Sequence, residues 1–202
     1  MSAGSREKLV QTLERLMSTQ GLARIGTRDI ARSGKFAEGT LYKHFKGKDD
    51  LVIEVLERNL PGLREALRDL PLKLGLGTVQ ENLQHVAYAA LKYSGQMAPL
   101  ICSLFADVAL LRKTREKLQR MRIGPDRSFE VLTAYISAEQ RLGRVSGKID
   151  AEAASILLFD TIFGLVVFDA FVGRRTSALH QRRRIDQIVA TLLAGLEPRT
   201  SE

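Results

Sequence analysis

Residues 38–44 read Glu-Gly-Thr-Leu-Tyr-Lys-His, with Lys35 and Lys46 on either side and Lys48 just beyond. The hydroxyls of Thr40 and Tyr42, the amine of Lys43 and the imidazole of His44 are groups that donate to phosphate oxygens and base edges. Leu41 and Phe45, four residues apart, share one helix face and can fasten the segment to a core while its polar face stays outward. Such chemistry needs a short helix that enters a DNA major groove, about 12 Å wide, and a second helix that crosses the backbone. Both are foreseen here. Leu9, Leu13, Leu16 and Met17 recur at helical spacing and predict a supporting helix near 6–20, closed by Gly21. Thr27 is the expected N-cap of a helix over 27–33, Gly34 its stop, and 38–44 the helix after a tight turn.

Charge placement agrees. The chain has 202 residues and a net charge of +8. Between positions 6 and 48 lie the cations 6, 8, 15, 24, 28, 32, 35, 43, 46 and 48 against the acids 7, 14, 29 and 38. Three quarters of the excess positive charge therefore sits in the first quarter of the chain, the footprint of a nucleic-acid-binding head on a near-neutral body.

The run Thr27-Arg-Asp-Ile30-Ala31, then Gly39-Thr40-Leu41-Tyr42-Lys43-His44-Phe45, then Lys48-Asp49-Asp50-Leu51 resembles the DNA-binding signature of the tetracycline-repressor (TetR) family, over about residues 6–56. The resemblance implies phosphate contacts from Thr40, Tyr42, His44 and Lys48, base reading by Lys43 and the start of its helix, and Arg28 facing the DNA backbone; Lys35, flanking the helix, is placed for phosphates by its charge. It also implies homodimers joined through a bundle of the last two helices, a pseudo-palindromic double-stranded operator, and a small-molecule effector. The turn departs from the family's usual Ala-Gly-Val-Ser, reading Gly34-Lys35-Phe36-Ala37. With the glycine one place early, Lys35 is expected in a left-handed conformation at a cost of about 1–2 kcal/mol. Ala37 removes a side-chain cap, a loss of about 1 kcal/mol.

After the head, at 1–47, an all-α ligand-binding and dimerisation body is expected over 48–202, entered by a linking helix at 48–70 bent or broken at Pro61. Thr78 with Glu81 opens a helix to about Gln96, and Pro99 starts another through the charged run 112–122. Further helices are expected from Pro125 to about Leu142, from Asp150 to Val172, and over 178–196, making about nine helices and no strand.

The segment 153–172 is apolar on every side, as buried helices are. Phe159 and Val166 on it, with Ile185, Val189, Leu192 and Leu196 on the last helix, are the expected subunit interface. Tyr88, Tyr93, Met97, Phe105, Phe129, Tyr135 and Phe163 either line an effector cavity or form plain core. Asp160 is expected to be buried, beside a cationic ligand or an arginine, and Asp169 to be wet. Arg174-Arg175 and Arg182-Arg183-Arg184 read as a solvated rim.

Other classes find little support. Asp160 and Asp169 interrupt the apolar stretch, and a charge near a bilayer centre costs about 2.5–3.5 kcal/mol, so no membrane span is expected. The opening residues have no apolar signal core, and the lone Cys102, expected as a small hydrophobe, suits a reducing cytoplasm. The three histidines lack metal spacing, Gly75-Leu76-Gly77 follows no strand, and no nucleophile motif occurs, so neither enzyme, metal nor cofactor is expected. The expectation is a ligand-responsive DNA-binding repressor; the alternative is a helical carrier of lipid or small apolar ligands that binds no DNA.

Overall fold

The computed structural model describes residues 3–121 and 123–195. They form α1 (Ala3–Gln20), a 3₁₀ turn at Leu22–Arg24, α2 (Thr27–Ser33), α3 (Glu38–His44), α4 (Lys48–Asn59), α5 (Pro61–Asp69), a second 3₁₀ turn at Leu70–Lys73, α6 (Val79–Leu104), α7 (Val108–Met121), α8 (Pro125–Arg141), α9 (Ala151–Phe171) and α10 (Ala178–Ala194). The fold is all-α, with ten helices and no strand among the described residues.

Two boundaries differ from the sequence reading. The linking helix is two helices, because Pro61, which cannot continue α4, opens α5 at the one helical position that suits it. Conversely, Pro99 starts nothing: it lies inside α6. An interior proline costs about 3 kcal/mol; the buried Met97, Ala98, Leu100 and Leu104 on the same stretch offset it by burial. The true break comes at 105–107, where the Asp107 carboxylate accepts from the Leu110 amide at 3.0 Å and caps α7.

The caps at Thr78–Glu81 and Asp150 are as foreseen, with Asp150 Oδ1 accepting from Ala153 N at 2.7 Å. At α2 the cap is Gly26, not Thr27, and Asp29 reaches back to accept from the Gly26 amide at 2.9 Å.

The described chain divides into two compact units, Met1–Pro61 with Gln96–Gly124, and Gly62–Gly95 with Pro125–Glu202. The first collects α1–α4, the end of α6, and α7 around Leu9, Leu13, Leu22, Ile30, Leu41 and Leu51, all buried. The second packs α8 against α9 and α9 against α10 over Leu83, Leu132, Leu158 and Ile162.

Inside the second unit several expectations are corrected. Asp169, not Asp160, is the sheltered carboxylate: its side chain is 13% exposed and accepts from Arg184 at 2.5 Å and Arg174 at 3.1 Å, while Asp160 is exposed. Neighbouring apolar residues in sequence could not reveal an arginine partner fifteen positions away. The arginine cluster is consequently only partly a solvated rim; Arg182 also lies over the Tyr88 ring at 4.8 Å. Ile185 and Val189 are fully buried within the chain's own core and cannot face a partner subunit. Phe159 and Val166 are half-buried, Leu192 also, and Leu196 lies outside the described residues. In the first unit Cys102 is exposed rather than packed.

Candidate nucleic-acid interface

Leu41 and Phe45 hold α3 in place from below, at 0% and 2% exposure, and Ile30 and Ala31 do the same for α2. The opposite face of α3 then points outward by helix geometry. Tyr42 and Lys43 are exposed, Thr40 and His44 half-buried. Tyr42 Oη lies 3.2 Å from the Thr27 hydroxyl, which joins the end of α3 to the start of α2. Arg28 is exposed and reaches Glu38 Oε2 at 3.0 Å. An exposed pair of this kind is worth at most about 1 kcal/mol, so Arg28 readily exchanges Glu38 for another anion. Lys35 and Lys43 make no ion pair among the described residues.

The turn between α2 and α3 is a Schellman closure. Phe36 N donates to Ala31 O at 2.8 Å and Lys35 N to Arg32 O at 3.1 Å. That pattern places the residue after the C-cap in the left-handed region, and Lys35 has φ 61°, the only positive φ outside glycine among the described residues. Gly34 itself has an ordinary φ of −79°. Its role is space: a Cβ there would meet Phe36 Cδ2 at 3.0 Å and Thr12 Oγ1 at 3.2 Å. Ala37 opens α3 with no side-chain cap, as foreseen.

Lys48 is placed differently from its neighbours. Its ammonium donates to the Leu22 carbonyl at 2.6 Å and lies 4.0 Å from Asp107 Oδ2, with the side chain 15% exposed. Burial lowers its pKa, against the raising effect of Asp107. The next two residues are also tied to α7, for Lys117 sits 3.3 Å from Asp49 Oδ2 and pairs with Asp50. The first turn of α4 is thus held by a crossed set of charges, lysine to the cap of α7 and two aspartates to a lysine within it. The acids at 49 and 50 are legible in sequence as first-turn residues favoured by the helix dipole. Asp107 was hidden because 99–122 reads as one helix, although an aspartate three residues before a buried leucine is an N-cap signal.

Tyr88, Tyr93, Phe129, Tyr135, Asp160 and Phe163 belong to the second unit, Met97 and Phe105 to the first. Phe105 is 67% exposed, and Phe129 packs edge-on against Phe159 at 5.2 Å. Tyr135 is buried, accepts from the Asn82 amide at 3.0 Å and lies beside the fully buried Glu139.

A helix held from below by Leu41 and Phe45, with Lys43 and Tyr42 outward and a second short helix across its base, has the form of a helix-turn-helix. Residues 9–55 match the family model of bacterial regulatory proteins, tetR family. Residues 9–55 thus form a DNA-binding segment of the tetR-family type. Over 54 residues, 27% of this chain and 26% of the other, it is 41% identical to the transcriptional repressor KstR2 of Mycolicibacterium smegmatis. It is 24% identical over 80% of its length to the transcriptional regulator TtgR of Pseudomonas putida, covering 78% of that protein. Among solved structures, FadR of Bacillus subtilis, in complex with stearoyl-CoA, superposes with a TM-score of 0.71 at 17% identity, covering 95% of this chain and 99% of the other. The matched segment and these relatives, each described as a transcriptional regulator or repressor, support a DNA-binding transcriptional regulator.

Proposed function

We propose that this chain is a TetR-family regulator, a cytoplasmic homodimeric repressor that leaves a pseudo-palindromic operator when a small apolar molecule binds its body. The observation that carries the DNA half is the outward face of α3, with Lys43 and Tyr42 exposed and free of ion pairs. In this reading Lys43 reads bases, Thr40, Tyr42 and His44 hold phosphates, and Arg28 exchanges Glu38 for the backbone. Lys48 reaches a phosphate only by giving up the Leu22 carbonyl. The functional head is 1–47 and the effector and dimer functions belong to 48–202.

For the dimer, an open groove of 590 Å³ runs along α9 and α10, lined by Leu157, Leu158, Thr161, Leu165, Ile188 and Leu192. By length and composition α9 is apolar enough to cross a membrane; a second copy laid on its outward face gives those residues the burial that a polypeptide in water needs. The interface is accordingly assigned to this groove and to Leu192, with Phe159 and Val166 beside it. For the effector, the stearoyl-CoA bound to a structural relative supports a ligand with a long apolar chain. Effector binding that changes the separation of the two heads from one helical turn, about 34–36 Å, takes one head out of register.

The test selects duplexes from random sequence with the full-length protein. We expect paired half-sites, a changed base preference in Lys43→Ala, and uniformly weaker binding in Tyr42→Phe. Leu157→Glu with Leu192→Glu should give monomers by light scattering and single-half-site binding. Selected duplexes without symmetry, or a double variant that stays dimeric, would refute the dimeric reading.

A further inference from the structure

Base reading by α3 leaves one feature of the first unit unused. A cavity of 390 Å³ opens between α1 and the α2–α3 turn, lined by Lys8, Gln11, Thr12 and Arg15 on one side and by Ser33, Gly34 and Lys35 on the other. Three cations line it and no carboxylate does. The acids of α1 nearby are engaged elsewhere: Glu7 accepts from Gln11 at 2.9 Å and pairs with Arg58 at 2.7 Å, and Glu14 accepts from Asn59 at 3.0 Å. Lys8 and Lys35 make no ion pair among the described residues. Arg15 is already aimed, donating from Nη2 to Ser33 Oγ at 3.0 Å. Because that hydroxyl accepts from Arg15, its own proton remains free to donate.

The backbone supports the same conclusion. The one non-glycine residue with positive φ among the described residues is a wall of this cavity, Lys35. The floor is Gly34, where a Cβ would crowd Thr12 Oγ1 at 3.2 Å. The Schellman closure fixes this wall, and like charges lining one cavity repel one another until an anion joins them.

We infer that this cavity is a phosphate-binding site, separate from the base-reading face of α3. An arginine fork, two ammonium groups and a hydroxyl suit an anion with several oxygens. The phosphate belongs either to the DNA backbone flanking the half-site or to a free phosphate or phosphate ester. The DNA alternative rests on the operator-binding reading above; the free-anion alternative does not.

The experiment uses the full-length protein with Lys35→Asn, which keeps a residue tolerant of the left-handed region and drops the charge, and Arg15→Gln, which lies outside the strained turn. Affinity for a random-sequence duplex is measured against salt, and the melting temperature is measured in sodium phosphate against sodium chloride at matched ionic strength. A DNA-backbone phosphate predicts a log–log salt slope shallower by about 0.9 in either variant, with no phosphate-specific rise in melting temperature. A free anion predicts a saturable, phosphate-specific rise in the wild type that both variants lose, with the slope unchanged. Equal slopes and equal phosphate responses in the wild type and Arg15→Gln overturn the site even where Lys35→Asn unfolds. Should the wild type bind no duplex while the phosphate response persists, the operator reading fails and the site stands.

Discussion

Replacing Lys35 by glycine should stabilise the protein, and replacing Gly34 by alanine should destabilise it, although each change looks minor on an exposed turn. Lys35 sits at φ 61° because the Schellman closure requires a left-handed residue there. An L-residue in that region carries about 1–2 kcal/mol of strain, which glycine lacks. Glycine returns about 0.5–1 kcal/mol of this as extra freedom of the unfolded chain. The net gain is about 0.5–1 kcal/mol, or roughly 1–4 °C in melting temperature for a chain of this size. At position 34 the φ of −79° suits alanine, but its Cβ would lie 3.0 Å from Phe36 Cδ2 and 3.2 Å from both Ile30 O and Thr12 Oγ1. Overpacking of that order costs about 1–3 kcal/mol. The assay is thermal and urea unfolding followed by circular dichroism, at one protein concentration and without phosphate, so that neither dimerisation nor anion binding moves the midpoint. A less stable Lys35→Gly, or a neutral Gly34→Ala, would refute the assignment of strain to one residue and close approach to the other. The double variant places alanine and glycine as the family's turn usually has them; it should lie between the single variants.

Tyr135 has its pKa raised to about 12 by burial, with Glu139 adding to the effect. The unfolded chain therefore ionises first as pH rises past 10, and stability falls between pH 10 and 12. Tyr135→Phe should remove about 1 kcal/mol of the loss between pH 9 and 11, measured by urea unfolding at both values. Arg144 Nη1 lies 3.3 Å from the fully buried Glu139 carboxylate, so Arg144→Met should cost about 3–5 kcal/mol by leaving that charge unpaired; Glu139→Gln with Arg144→Met should recover most of it. Lys117→Ala frees Asp49 and Asp50 together, and hydrogen exchange of the α4 amides should rise while that of α9 stays unchanged.

Much of the head could be read from the chain because its signals are local. Alternating stops at Gly21 and Gly34, a capless Ala37 and the Leu41–Phe45 pair fix α2 and α3 over the same residues as the sequence reading. Even the left-handed Lys35 follows from the position of one glycine. What failed was non-local. Pro99 reads as a start unless one knows that Met97 and Leu100 are buried on either side of it. Ile185 and Val189 form a clean apolar stripe, yet a stripe says only that one face is covered, and here the chain covers it itself. Asp160 and Asp169 exchange places because Arg184 comes from another helix.

The same distinction explains why Lys48 belongs to two descriptions. In sequence it is the last of the head's cations and the first residue of the linking helix. In space its ammonium is held by Leu22 O and faces Asp107, whose other oxygen caps α7. One carboxylate therefore serves both the start of α7 and the start of α4, and Lys117 adds a second tie from α7 to the same turn. With α3 ending at His44 and α4 beginning at Lys48, only three residues separate α3 from these ties. A displacement of α7 cannot be absorbed by so short a connection. It must either break charge pairs with side chains 15–32% exposed, where the dielectric makes them worth more than surface pairs, or carry α4 and α3 with it.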